Sequence, residues 1–156
     1  MRILVPALIC CLAAAHDAAA QGRPLRVRAE RDLIFGSVLP GVSTIIQPTD
    51  PARSGQFDIT GPRFSSIDIW FTLPSAMTGP SGAQLLMFFG PTDAGYTNTG
   101  AIGSQVSFDP RLRFVGTLSN NGRGFVYIGA TTSPSGTQRA GSYAAAVTLT
   151  VAFTSL

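Results

Sequence analysis

The chain has 156 residues, 45 % of them apolar and only 12 % charged, about half the charged quarter usual in soluble proteins. Its 17 Gly and 11 Pro make about 18 % of the sequence, above the usual share of roughly 12 %. This composition excludes a disordered acidic tail, a coiled coil, collagen and a disulfide-stapled miniprotein, and it suits one β-rich secreted domain. The formal net charge is +3. All 11 basic residues are Arg, there is no Lys, and Glu30 is the one Glu, as base-composition bias in a GC-rich genome would give. Beyond the start of the domain the Arg residues are dispersed. The dense basic face with interleaved aromatics that a nucleic-acid partner requires is missing from the sequence.

Residues 1–20 read as a secretory signal. Met1-Arg2 is a short positive start, Ile3 to Ala15 is uncharged, and Ala18-Ala19-Ala20 offers a small-residue cleavage site before Gln21. Thirteen helical residues would span about 20 Å, short of the roughly 30 Å of a bilayer core, so no membrane span is expected. Lipoprotein processing at Cys10 or Cys11 is the alternative, with Ile9 and Cys10 poorly suited to precede the modified residue. Cleavage after Ala20 removes Cys10, Cys11 and His16. Residues 21–156 then form a single domain without Cys or His, held together by its core alone. The expected location is the periplasm, the cell surface or the extracellular space.

Along that domain, Leu25-Arg26-Val27-Arg28-Ala29 alternates like a half-buried strand, and Pro40-Gly41 is a turn signal after Leu33, Phe35 and Val38. Residues 47–55 read as a loop. Phe57 and Ile59 alternate with polar neighbours up to Gly61-Pro62. Ile67, Ile69, Phe71 and Leu73 then share one face, with Asp68, Trp70 and Thr72 on the other. Leu85 to Phe89 is a continuous apolar run, read as a strand covered on both faces, and residues 92–105 as a polar loop. Leu112, Phe114, Gly116 and Leu118 alternate. Asn121-Gly122 marks a hairpin into Phe125 to Ile128, and Val147, Leu149, Val151 and Phe153 alternate to the end. Seven to nine short strands, with turns between them and no helical stripe, predict an all-β fold: an immunoglobulin-like antiparallel β-sandwich.

Loss of His and Cys, in a chain that has no Lys, leaves few catalytic designs. Ser-His-Asp and Cys-His systems lack a base, Schiff-base chemistry lacks its amine, and zinc sites lack their nitrogen and sulfur ligands. Asp32, Asp50, Asp58, Asp68, Asp93 and Asp109 remain. No spacing among them matches a paired-carboxylate or EF-hand pattern, so no catalytic residue, cofactor or metal is assigned. Two surfaces stand out. Asp68 and Trp70 share an outward strand face suited to stacking a sugar, unless a neighbouring loop or strand covers the ring. Arg23, Arg26, Arg28 and Arg31 crowd the start of the domain, either to meet anionic lipid or polysaccharide or to guard an edge strand.

The stretch Ala29-Glu30-Arg31-Asp32-Leu33-Ile34-Phe35-Gly36-Ser37-Val38-Leu39-Pro40-Gly41 resembles the opening of domain-of-unknown-function family 4402. Ile128 to Thr131, Arg139-Ala140-Gly141-Ser142-Tyr143 and Val147 to Val151 resemble its close, with Gly129-Ala130 departing where a second Gly is common. That family is similar to exported bacterial fimbrial and spore-coat β-sandwich subunits, which implies a non-enzymatic structural or adhesive module. Such modules assemble with copies of themselves or related subunits by β-strand addition. Here Leu25 to Ala29 is the candidate donor and Val147 to Phe153 the candidate acceptor edge. The alternative is a monomeric secreted binding module for a surface polysaccharide, using Asp68 and Trp70. Tyr143, at a turn into the last strand, is placed to pack and to bond backbone at a corner.

Overall fold

The computed structural model describes residues 23–154. The leader read at residues 1–20 lies outside the described residues. The described residues form twelve strands and two short 3₁₀ turns, Pro80–Gly82 and Ile102–Ser104. The strands are β1 (Arg26–Arg31), β2 (Thr44–Ile46), β3 (Gly55–Thr60), β4 (Ser66–Thr72), β5 (Ala76–Thr78) and β6 (Gln84–Phe88). They continue as β7 (Ala94–Thr97), β8 (Val106–Phe108), β9 (Phe114–Thr117), β10 (Arg123–Ile128), β11 (Ala130–Ser133) and β12 (Thr148–Phe153). All pairings are antiparallel, in three sheets ordered β1-β3-β10-β7-β8, β2-β11-β6-β5 and β12-β4-β9.

The five-stranded sheet packs on the three-stranded sheet through Ile59, Ala94, Tyr96, Phe108 and Val126 on one side and Ile67, Ile69 and Leu118 on the other. A second apolar cluster lies under the four-stranded sheet, built from Ile46, Met77, Leu85, Met87 and Ala130 with Phe35 and Ile128. Phe57 and Phe71 border both clusters and meet edge to face, 6.0 Å between ring centres. Each cluster is fed by strand residues at period two, since alternate side chains leave opposite faces of the pleat. Thus β4 buries Ile67 and Ile69 while Asp68 and Trp70 stay outside.

Twelve strands arise where seven to nine were expected because short segments outside the apolar runs (β2, β5, β7 and β8) pair in the sheets, and because one run breaks as the chain passes between sheets. Gly129 divides β10 from β11, and its N–H donates to the Asp93 carbonyl at 2.8 Å. A Cβ at Gly129 would collide with the Ile46 carbonyl, so the crossing demands glycine. The run Leu85 to Phe89 is not covered on both faces. Leu85 and Met87 are buried, whereas Leu86 and Phe88 are 49 % and 52 % exposed, because one face of the four-stranded sheet points to solvent. Residues 92–105 are not wholly loop either. Ala94 to Thr97 form β7, enclosed between β10 and β8 with all four residues buried. The Asn121-Gly122 hairpin forms, but not as a type I′ turn with positive φ at both residues: Gly122 has φ +68° and Asn121 does not, and the Gly122 N–H donates to the Ser119 carbonyl at 2.9 Å. Tyr143 sits at its corner, its hydroxyl donating to the Arg139 carbonyl at 2.6 Å and accepting from Gln138 Nε2 at 2.8 Å.

Candidate functional site

Asp68 and Trp70 lie together on the outer face of the three-stranded sheet, as the alternation of β4 requires. Sequence reading missed their partner, Arg113. The β4–β9 register sets Asp68 against Val115 and Ile69 against Phe114, so its continuation sets Trp70 against Arg113. The guanidinium carbon stands 4.5 Å from the Trp70 ring centre, and Nη1 lies 3.0 Å from Asp68 Oδ2. Thr154 donates to Asp68 Oδ1 at 3.3 Å. One ring face is therefore already occupied by a cation, an arrangement that braces the indole against the sheet. The outward alternation of Arg113 with Val115 and Thr117 was the signal that could have found it. At this exposed position the ion pair contributes at most about 1 kcal/mol, and the ring contact about 0.5–1 kcal/mol.

Four other aspartates hold turns or cations. Asp50 accepts from the Ala52 and Arg53 N–H groups and pairs with the Arg53 guanidinium at 2.9 Å. The Ala52 bond chiefly holds the Asp50 carboxyl below its usual range; burial opposes it, and the several Arg53 contacts add to the lowering. Asp109 is lowered chiefly by its side-chain bond to Arg111, at 2.7 Å. Asp58 pairs with Arg123 at 3.2 Å, and Asp93 accepts the Gly90 N–H at 2.7 Å. These are the contacts of clamps and braces. Among the described residues no three His, Cys, Asp or Glu side chains are grouped to hold a metal ion. No helix among them is long and apolar enough to cross a membrane.

The four N-terminal arginines separate. Arg31 turns to Ser54, with Nε 2.7 Å from the carbonyl and Nη2 3.0 Å from Oγ, and Arg23 reaches the Asn121 carbonyl at 3.2 Å. Arg26 and Arg28 remain exposed along β1, with Arg28 3.3 Å from Glu30. The candidate donor Leu25 to Ala29 is thus mostly β1, bonded in its own chain to β3 from Arg26↔Thr60 onward. A bulge between Ala29 and Arg31 breaks that register. Charge and a bulge on one edge strand are the usual guards against pairing with another chain.

The opposite case is β12. Among the described residues it pairs with β4 alone, in unbroken register from Thr148↔Thr72 to Phe153↔Ile67. It carries no charge, Pro, Gly or bulge. The Thr154 N–H donates to the Ser66 carbonyl at 3.2 Å, and antiparallel alternation extends this bonding to Ala152, Thr150 and Thr148. The N–H and C=O groups of Leu149, Val151 and Phe153 then face the free edge. Ahead of β12 lies a groove of about 860 Å³ between segments 32–40 and 138–147, lined by Phe35, Met77, Leu85, Met87, Tyr143 and Val147. No family model matches the chain, and neither a curated protein nor a solved structure matches it.

Proposed function

We propose that the chain is an exported, non-enzymatic β-sandwich subunit of a surface structure, which assembles by accepting an added strand on β12. The observation that carries this reading is the contrast between edges: β1 is charged and bulged, whereas β12 offers six uncharged residues with three outward backbone positions. Such an edge in a stable domain is an aggregation hazard unless a partner strand covers it. The leader read at residues 1–20 supports export, and the resemblance of residues 29–41 and 139–143 to an exported bacterial family supports a structural role.

The test is size. Mature protein recovered from its native envelope is measured by light-scattering chromatography and by gel electrophoresis without boiling. A detergent-resistant ladder, or a dimer, that collapses to one band on boiling is the expected result. A single monomer of about 14 kDa under both conditions refutes assembly through β12 and turns the search to ligands of a monomeric module.

A further inference from the structure

A second cleft lies at the end of the sandwich opposite the groove lined by Phe35 and Tyr143, where the β3–β4 turn meets the β9–β10 turn. Phe64 in the first turn has φ +57° and is 65 % exposed. A bulky side chain in the left-handed region is strained, and Gly or Asn would hold the same turn more comfortably. A ring left 65 % exposed recovers little through burial, so packing does not account for this residue. Strain of this kind concentrates at sites of function. The strained backbone is pinned rather than loose. The Phe64 N–H donates to the Ser119 carbonyl at 3.2 Å, and the Gly61 N–H to the Gly122 carbonyl at 2.9 Å.

Phe64 forms one wall of a cleft of about 650 Å³ that also holds Phe125, Arg123, Asn98, Thr99 and Asn120, within the usual 300–1,000 Å³ of ligand clefts. Among the described residues no carboxylate lines it. The cation that does, Arg123, is already engaged: its guanidinium carbon stands 5.1 Å from the Phe125 ring centre, and Nη2 lies 3.2 Å from Asp58. Asn98 Nδ2 donates to the Thr117 carbonyl at 3.2 Å, which leaves Oδ1 to accept. Asn120 is exposed. The cleft thus combines an apolar ring with neutral amides and hydroxyls. That combination matches a pyranose, whose C–H face stacks on an aromatic while its hydroxyls bond to amides.

We infer that this cleft binds a neutral glycan, with Phe64 as the stacking platform and Asn98 and Asn120 as hydroxyl partners. The site is separate from the Trp70 face and independent of strand addition at β12. The test is native affinity electrophoresis of the mature chain through gels containing dextran, laminarin or galactomannan, with polygalacturonate as the anionic comparison. At least one neutral polysaccharide retards the wild-type chain. Phe64→Gly weakens that retardation at least tenfold yet raises the melting midpoint by about 2–5 °C, since glycine relieves the positive φ. Asn120→Ala weakens it at least threefold without moving the midpoint. Retardation by none of the neutral polysaccharides, or by polygalacturonate alone, overturns the inference. So does a Phe64→Gly chain that binds like wild type or melts lower than it.

Discussion

Proline substitution along β12 separates the edge that the protein bonds internally from the edge it leaves open. At Val151 the N–H faces outward, so proline removes no bond to β4, and an edge strand tolerates it there. The cost to the fold is about 1 kcal/mol, from the altered φ and the reshaped half-buried side chain. At Thr150 the N–H is bonded to β4 by the alternation that Thr154 and Ser66 anchor. Proline there loses a ladder bond and forces the strands apart, at about 3 kcal/mol or more. An added strand would satisfy the three outward N–H and three outward C=O groups of Leu149, Val151 and Phe153. At roughly 0.5–1.5 kcal/mol for each net bond, full pairing contributes about 3–9 kcal/mol before association entropy. Losing the central donor and introducing a ring at the interface removes about 3 kcal/mol of it, a factor of about 100 in the association constant.

The expected outcome is therefore asymmetric. Val151→Pro keeps a cooperative melt within a few degrees of wild type and is monomeric, whereas Thr150→Pro melts far lower or fails to fold. Amide hydrogen exchange gives the same information without substitution. In the monomer the amides of Leu149, Val151 and Phe153 exchange fast and those of Thr150, Ala152 and Thr154 slowly. Assembly slows the fast set. If Val151→Pro assembles like wild type, or if the odd-numbered amides remain fast in the assembly, the added strand lies elsewhere and the reasoning fails.

Other expectations follow from the same structure. Ile69→Ala empties a fully buried position in the core between the five- and three-stranded sheets, costing about 2–5 kcal/mol in denaturant midpoint analysis at unchanged m-value. Tyr96 is 6 % exposed, its hydroxyl bonded to the Thr117 carbonyl at 2.8 Å, and burial pushes its pKa up to about 12. The unfolded phenol ionises near pH 10, so stability is intact below that pH and falls by about 2–3 kcal/mol as pH rises from 10 to 12. Tyr96→Phe flattens that fall in urea titrations. Arg113→Ala uncovers Trp70 and red-shifts its fluorescence while costing about 1 kcal/mol or less; an unchanged emission spectrum would show that Arg113 does not cover the ring.

Much of this architecture was legible because period two is a local property. Phe57 and Ile59, Ile67 to Phe71, and Leu149 and Val151 announce their faces without reference to neighbours, and Asn121-Gly122 announces its turn. What escaped reading depends on partners distant in the chain. Ala94-Gly95-Tyr96-Thr97 looks like loop because its small and polar residues become strand only when β8 and β10 close on both edges. Leu86 and Phe88 look buried because hydrophobicity alone does not say which face of a sheet meets a second layer. The same holds for the surface chemistry. Asp68 and Trp70 were visible as a pair on one strand, whereas Arg113, 45 residues from Asp68, joins them only through the β4–β9 register. Phe64 gave no signal at all, since a backbone angle leaves no mark in composition.

The β1 and β12 edges, two of the six that three open sheets present among the described residues, also constrain how such assembly would proceed. Two copies pairing β12 against β12 would form an isologous contact, which closes at a dimer and leaves no free β12 to extend. A ladder needs a heterologous contact, with a donor segment different from the acceptor. Leu25 to Ala29 can serve only by leaving β3, because that segment is already paired across Arg26↔Thr60 to Ala29↔Phe57. Its departure would expose Ile59, which is wholly buried, and would free the Arg31 contacts with Ser54. Donation by β1 thus exchanges one strand site for another, and its barrier is the opening of that edge. A ladder grown this way carries two signatures absent from a β12 dimer: Val27 to Ala29 becomes protected by a different chain, and assembly slows as β1 is locked to β3. A disulfide between cysteines introduced at Val27 and Ile59, facing positions in the β1–β3 register, therefore abolishes a ladder and leaves a β12 dimer intact.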